Sequence, residues 1–280
     1  MTDLDLKKDM CQAPIGVFDS GVGGLTVARE IMRQMPKEKI IYFGDTARVP
    51  YGTKSKETIT RFSRQIARFL QSHEVKTIVV ACNTASAYAI EELEAELDIP
   101  VIGVVKPGAR MAVDVTRNGK IGVIATEGTI GSGLYTKYIK MLREDATIYG
   151  KACPLFVPLV EEGLWEDPVT VEIARRYLAE LIDLDIDTLI LGCTHYPLIR
   201  SVIGQVMGAG VTLVNPAYET AIALKKLLAE KQLLNDVAPP LGSNPYQFYV
   251  SDGAEKFKQF ANSIIKYGIL SAKTINIEEY

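Results

Sequence analysis

Thr77 to Ser86 reads T-I-V-V-A-C-N-T-A-S, and Thr188 to Pro197 reads T-L-I-L-G-C-T-H-Y-P. Each is an apolar run of β-branched residues and leucine, then a small residue, then a cysteine followed at once by amide, hydroxyl or imidazole side chains. A short continuous apolar run fits a strand buried on both faces of a parallel sheet. Ligands of open α/β sheets sit outside the carboxyl ends of such strands. Cys82 with Asn83 and Thr84, and Cys193 with Thr194 and His195, are therefore expected at a binding crevice.

The two stretches belong to a longer echo. Ile15 to Asp19 (I-G-V-F-D) is answered 106 residues later (121 − 15) by Ile121 to Ala125 (I-G-V-I-A), and Cys82 by Cys193 at 111 (193 − 82). The helical patterns Glu57 to Ser72 and Pro168 to Leu184 keep the same spacing of 111 (168 − 57). Chance likeness between α/β units is the plain alternative, but such close offsets read as two copies of one strand, loop, helix, strand-Cys unit. Copies packed about a pseudo-two-fold axis would aim both thiols at a shared ligand from opposite sides. The expected fold is α/β, with two similar three-layer lobes of mostly parallel sheets, pseudo-two-fold related, and the active site in the cleft between them. Residues 1–106 with 215–280 are expected to form the first lobe and 107–214 the second, crossing at the break Lys106-Pro107-Gly108.

The chain has 280 residues, 48% hydrophobic and 23% charged, with a net charge of −3, which suits a soluble globular protein of one large or two ordinary domains. No run of lysine and arginine dominates, so nucleic acid is not expected as a main partner. The opening M-T-D-L-D-L-K-K-D-M is polar and mixed in charge, unlike a signal peptide, and no apolar run approaches a membrane span. Four cysteines in so long a chain are no disulfide framework, which points to free thiols in a reducing cytoplasm.

Along the chain, Pro14 to Asp19 reads as the first strand and S-G-V-G-G-L-T as a Gly-rich turn into a helix, Gly24 to Met35, that aims N–H groups at an anion. A dinucleotide would need the full G-x-G-x-x-G, whereas a carboxylate could use the same groups. Ser20 is either a helix cap or a site residue. The second strand, Lys39 to Phe43, opens into G-D-T-A-R-V-P-Y-G, whose Asp45, Pro50, Tyr51 and Gly52 make either a substrate loop or a solvated connection; its position favours the former. His73, after a helix, reads as a surface residue favoured by the helix dipole. Ala85 to Glu96 reads as a helix, Val101 to Val105 as a strand, Thr126 to Gly133 as a loop and Tyr135 to Met141 as a helix. Pro154 to Val160 reads as a strand ending at Glu161, which is either a surface glutamate or the counterpart of the Pro50-Tyr51 loop. A strand at Leu213-Val214, a helix Ala217 to Lys231, a strand Tyr246 to Ser251 and a helix Gly253 to Ile265 close the chain, packing back on the first lobe.

Two opposed thiols admit several chemistries. Zinc on Cys82, Cys193 and His195 lacks a C-x-x-C, as does a redox pair. A single nucleophile leaves the second thiol unexplained, and a module that merely binds a small anion explains neither. Inverting a carbon centre uses both: a base on one face takes a proton, an acid on the other returns one, and the roles exchange for the reverse reaction. That is a racemase or epimerase needing no cofactor and no metal.

I-G-V-F-D-S-G-V-G-G-L-T, Y-F-G-D-T-A-R-V-P-Y-G, A-C-N-T-A-S and G-C-T-H-Y-P together resemble the glutamate racemase family, in order and with similar spacing, from about Pro14 to Val214. The resemblance implies a cofactor-independent isomerase that makes D-glutamate for peptidoglycan in the cytoplasm, often as a homodimer. It implies that Cys82 and Cys193 are the catalytic pair, the first acting on the D isomer and the second on the L isomer. Asp19 and His195 would assist them, with Asp45 and Glu161 as further polar partners. Substrate contacts would fall on Asp19, Ser20, Pro50, Tyr51, Gly52, Cys82, Asn83, Thr84, Cys193, Thr194 and His195. The aspartate racemases and a thiol-dependent hydrolase are the alternatives. The segment from Asn235 to Tyr280 carries no distinctive motif.

Overall fold

A computed structural model describes residues 10–240, 242–265 and 271–280. Most of the polar opening stretch, up to residue 9, lies outside the described residues. Four strands lead the chain: β1 (Ile15–Asp19), β2 (Ile40–Gly44), β3 (Thr77–Val80) and β4 (Val101–Gly103). A second set of four follows: β5 (Lys120–Ala125), β6 (Thr147–Ala152), β7 (Thr188–Gly192) and β8 (Thr212–Val214), before β9 (Tyr246–Val250) and β10 (Lys273–Thr274). They form two sheets, ordered β10-β9-β2-β1-β3-β4 and β6-β5-β7-β8. The order 2-1-3-4 thus occurs twice, and every described pairing is parallel. The register repeats as well, with Ile15 opposite Thr77 in one sheet and Ile121 opposite Thr188 in the other.

Helices cover both faces of each sheet, which is why the central strands are apolar at successive positions. Val17 and Tyr42 face a cluster with helices α1 (Leu25–Gln34), α10 (Pro216–Glu230) and α11 (Ala254–Ile264); Phe18 and Phe43 face the opposite cluster with α2 (Lys56–Gln71) and α3 (Asn83–Glu96). In the second sheet Leu189 and Leu191 pack on α8 (Pro168–Ile182) and α9 (Arg200–Met207), while Val123 and Ile190 pack on α4 (Val105–Val115) and α6 (Leu134–Leu142). The remaining short helices are α5 (Glu127–Gly131) and α7 (Phe156–Glu161).

Several expected elements differ. Lys106-Pro107-Gly108 is no break but the first turn of α4, where the missing proline N–H costs nothing. The strand before it accordingly stops at Gly103. Pro154 to Val160 is not a strand: the chain turns and enters α7, and the strand lies earlier, at Thr147–Ala152. That edge strand is only half-buried and reads T-I-Y-G-K-A, without the apolar run that marked its neighbours. Thr126 to Gly133 contains α5, its first turn capped by the Thr126 hydroxyl accepting from Thr129 N–H.

Candidate active site

In both sheets the connections after the first strand and the third leave toward opposite sides, so a crevice opens at the carboxyl ends of β1 and β3, and of β5 and β7. Cys82 follows β3 by two residues and caps α3, its sulfur accepting from Ala85 N–H at 3.5 Å. Cys193 directly follows β7. Both thiols are free and line one cavity of about 270 Å³. A larger cavity of about 590 Å³ adjoins it beyond Glu161, but its walls hold neither thiol.

The wall of the smaller cavity brings together most of the expected residues: Ser20 from the turn after β1, Pro50, Tyr51 and Gly52 from the loop after β2, Asn83 and Thr84 from the start of α3, and Glu161, Thr194 and His195 from the second lobe. Asp19 and Asp45 are not on that wall. Asp19 is fully buried beneath the Gly-rich turn, accepting from Gly21 N–H at 3.0 Å, with Gly24 N–H as a further donor. Two of the N–H groups expected to meet a substrate carboxylate are therefore taken by a carboxylate of the chain itself. Burial raises the Asp19 pKa, against the opposing pull of His195. Ser20 caps no helix, since α1 starts without a side-chain cap; its hydroxyl accepts from the Cys82 thiol at 3.6 Å. Asp45 takes hydrogen bonds from Tyr51 (2.5 Å), Arg48 (2.7 Å) and Ser251 (2.9 Å), and so fixes the loop that carries Pro50, Tyr51 and Gly52. His73 lies half-buried at a helix end, its Nδ1 3.0 Å from the Phe69 carbonyl.

The two thiols stand in different electrostatic settings. Burial, reinforced by the Asp19 charge, pushes the Cys82 thiol up to about 12. Cys193 has an imidazole beside it, with Nδ1 of His195 at 3.7 Å from the sulfur and Nε2 at 3.1 Å from Glu161. Burial alone would lower the His195 pKa, but the Cys193 sulfur and the Glu161 carboxylate outweigh it and bring it to about 10. Glu161 is lowered in turn by its hydrogen bond to His195. A buried, protonated imidazole thus lies between a sulfur and a carboxylate. Among the described residues no three His, Cys, Asp or Glu side chains gather to hold a metal ion.

Thr126 was missed. It lines the cavity, and its hydroxyl meets that of Thr84 across the two lobes at 2.9 Å and donates to that of Thr129 in its own lobe at 3.1 Å. The duplication contained the signal: Ile15 and Ile121 hold the same register position, so Thr126 is the counterpart of Ser20.

Residues 15–224 match the Asp/Glu/Hydantoin racemase family. A glutamate racemase of Geobacter metallireducens is 51% identical over 251 residues, which make up 90% of this chain and 92% of that protein. Among solved structures, a glutamate racemase isoform from Bacillus anthracis is similar with a TM-score of 0.90 at 44% identity, over 94% of this chain and 97% of that one. The glutamate racemase from Francisella tularensis in complex with D-glutamate gives a TM-score of 0.89 at 39% identity, over 96% of this chain and 100% of that one. With a match that runs from β1 through β8 and takes in the strand ends around the cavity, the chain belongs to the Asp/Glu/Hydantoin racemase family.

Proposed function

We propose that the protein interconverts L- and D-glutamate by a two-thiol mechanism. The observation that carries this reading is that corresponding strand ends of two sheets built in the same order deliver Cys82 and Cys193 to one cavity. The relatives, which are glutamate racemases along nearly their whole length, support glutamate as the substrate.

In the L-to-D direction the Cys193 thiolate, stabilised by protonated His195, removes the α-proton, and the Cys82 thiol delivers its own proton to the opposite face. Cys193 ends as thiol and Cys82 as thiolate; the reverse reaction starts from that state. Removing a proton beside a carboxylate builds negative charge on the reacting centre, and donors fixed in a buried site stabilise it. Asn83 supplies a neutral donor on the cavity wall beside Thr84 and Thr194, the Thr194 hydroxyl donating to Asp19 at 3.5 Å, and Ser20 supports the Cys82 sulfur. Glu161 holds His195, while Asp19 and Asp45 act one step back, on the turn and on the Tyr51 loop. In the same reading the enzyme supplies D-glutamate for peptidoglycan, in the cytoplasm and as a homodimer. No described helix is long and apolar enough to cross a membrane.

The reaction is tested in D₂O. Product formed in the first turnovers carries deuterium, and recovered substrate carries none, because the thiol that delivers has already exchanged with solvent. Cys82→Ser and Cys193→Ser each abolish racemisation in both directions, since a hydroxyl is a far weaker acid than a thiol. Early label in the unreacted enantiomer, or substantial racemisation by either serine variant, would rule out separate acid and base.

A further inference from the structure

Tyr135 lies on α6 of the second lobe and is buried, yet its hydroxyl ends against Asn83 in the first, donating to Oδ1 at 2.7 Å. The room for it is built in. A Cβ on Gly192 would stand 3.2 Å from the Tyr135 ring, and one on Gly108 3.4 Å from its hydroxyl. The ring is thereby held between β7 and α4, with its oxygen aimed at the first residue of α3. We propose that Tyr135 is a positioning residue for the racemisation, fixing the Asn83 side-chain amide with its NH₂ toward the cavity to receive a substrate carboxylate.

The argument is one of donor and acceptor counting. A side-chain amide offers an acceptor at one end and two donors at the other, and only its partners decide which end points where. Among the described residues the Tyr135 hydroxyl has one hydrogen-bond partner, the Asn83 oxygen. Reversing the amide would make the phenol oxygen the acceptor and leave its own O–H without one in a buried place, which is costly. The reversed amide would also turn its oxygen on an incoming carboxylate. Burial, with the nearby Cys193 sulfur, raises the Tyr135 pKa, so the phenol stays a donor. Asn83 Nδ2 then has no described protein partner, while Asn83 lines the cavity. Tyr135 belongs to the lobe of Cys193 and Asn83 adjoins Cys82, so this orientation exists only when the two lobes are correctly set against each other.

This inference rests on the glutamate reading of the cavity, and the experiment separates the two. Initial rates with both enantiomers are measured for the parent enzyme, Asn83→Ala, Tyr135→Phe and the double variant. Asn83→Ala raises KM by roughly tenfold or more, and Tyr135→Phe raises it about fivefold with kcat changed less than about twofold. In the Asn83→Ala background Tyr135→Phe adds nothing, because it acts through that amide. If Asn83→Ala leaves KM unchanged, the carboxylate reading of Asn83 falls and the proposal with it. If Asn83→Ala raises KM but Tyr135→Phe does not, or adds its full factor in the double variant, only the proposal falls. Should Tyr135→Phe fail to fold, neutron diffraction from the deuterated parent protein decides: both amide deuterons toward the cavity support the proposal, and a deuteron directed at the Tyr135 oxygen overturns it.

Discussion

Glu161 reaches His195 from the end of a six-residue helix, and its charge helps to keep the imidazole protonated. Glu161→Gln retains a hydrogen-bonding oxygen but removes the charge, so the imidazolium loses part of its stabilisation and titrates at lower pH. The basic limb of kcat/KM for L-glutamate should therefore move down by roughly one pH unit, with the acid limb nearly unmoved. A basic limb that stays in place would detach Glu161 from the reaction. At this scale the sequence was most informative about residues that follow an apolar strand, such as Cys82, Asn83, Cys193 and His195, because strand and direction together dictate where they emerge. It was least informative about Asp19 and Asp45, whose carboxylates turn inward to N–H and O–H donors. Nothing local distinguishes such a carboxylate from one facing substrate. Glu161 itself stood in a segment assigned the wrong element, and only family resemblance and a loose spacing marked it.

Among the elements, β7 owes its start to Asp187, which accepts from the Thr116 hydroxyl at 2.6 Å and from the N–H groups of Arg117 and Asn118 at 2.6 and 2.8 Å. Burial would raise its pKa, yet these donors outweigh that and lower it from 3.8 to about 2. A carboxyl depressed on folding contributes stability that is complete above its unfolded pKa and lost as pH falls through its folded one. Screening by the nearby solvent reduces the gain to about 1 kcal/mol at neutral pH. Asp187→Ala should destabilise the protein by at least about that much at pH 7, and the gap should narrow as pH drops from 4 toward 2. Urea unfolding at several pH values checks this; a gap independent of pH would mean the donors are satisfied some other way. Why β7 was legible and β6 was not is a matter of burial. All five residues of β7 are buried, whereas β6 at the sheet edge carries polar and half-exposed side chains and resembles a loop. The following F-V-P-L-V is apolar enough for a strand, but it packs as one and a half turns of helix, with Phe156 and Val160 four apart on the buried side.

Across the whole molecule, one place where the two lobes meet is where the Gly-rich turn passes Thr194 and His195. A Cβ on Gly23 would lie 2.3 Å from the Thr194 hydroxyl and 2.6 Å from the His195 ring, so contact between the lobes requires this glycine. Gly23→Ala must push the second lobe away or rotate His195 off Cys193, and kcat should fall by about a hundredfold, while the melting temperature shifts little because neither core is touched. A kcat within twofold of the parent would show that the lobes tolerate the extra carbon. The duplicated order of strands was legible from repeated spacing, since offsets of 106 and 111 residues survive wherever insertions fall in loops; the contact between lobes was not, because no spacing encodes it. The uneven strand supply of the two sheets has a further consequence, for synthesis. The second sheet draws all its strands from one uninterrupted stretch, 120–214, whereas the first is completed by β9 and β10 and packed by α10 and α11. On the ribosome the second sheet has all its strands while the first still waits, with the edge of β2 open until β9 has emerged. The half of the cavity that carries Cys82, though made first, is therefore finished last.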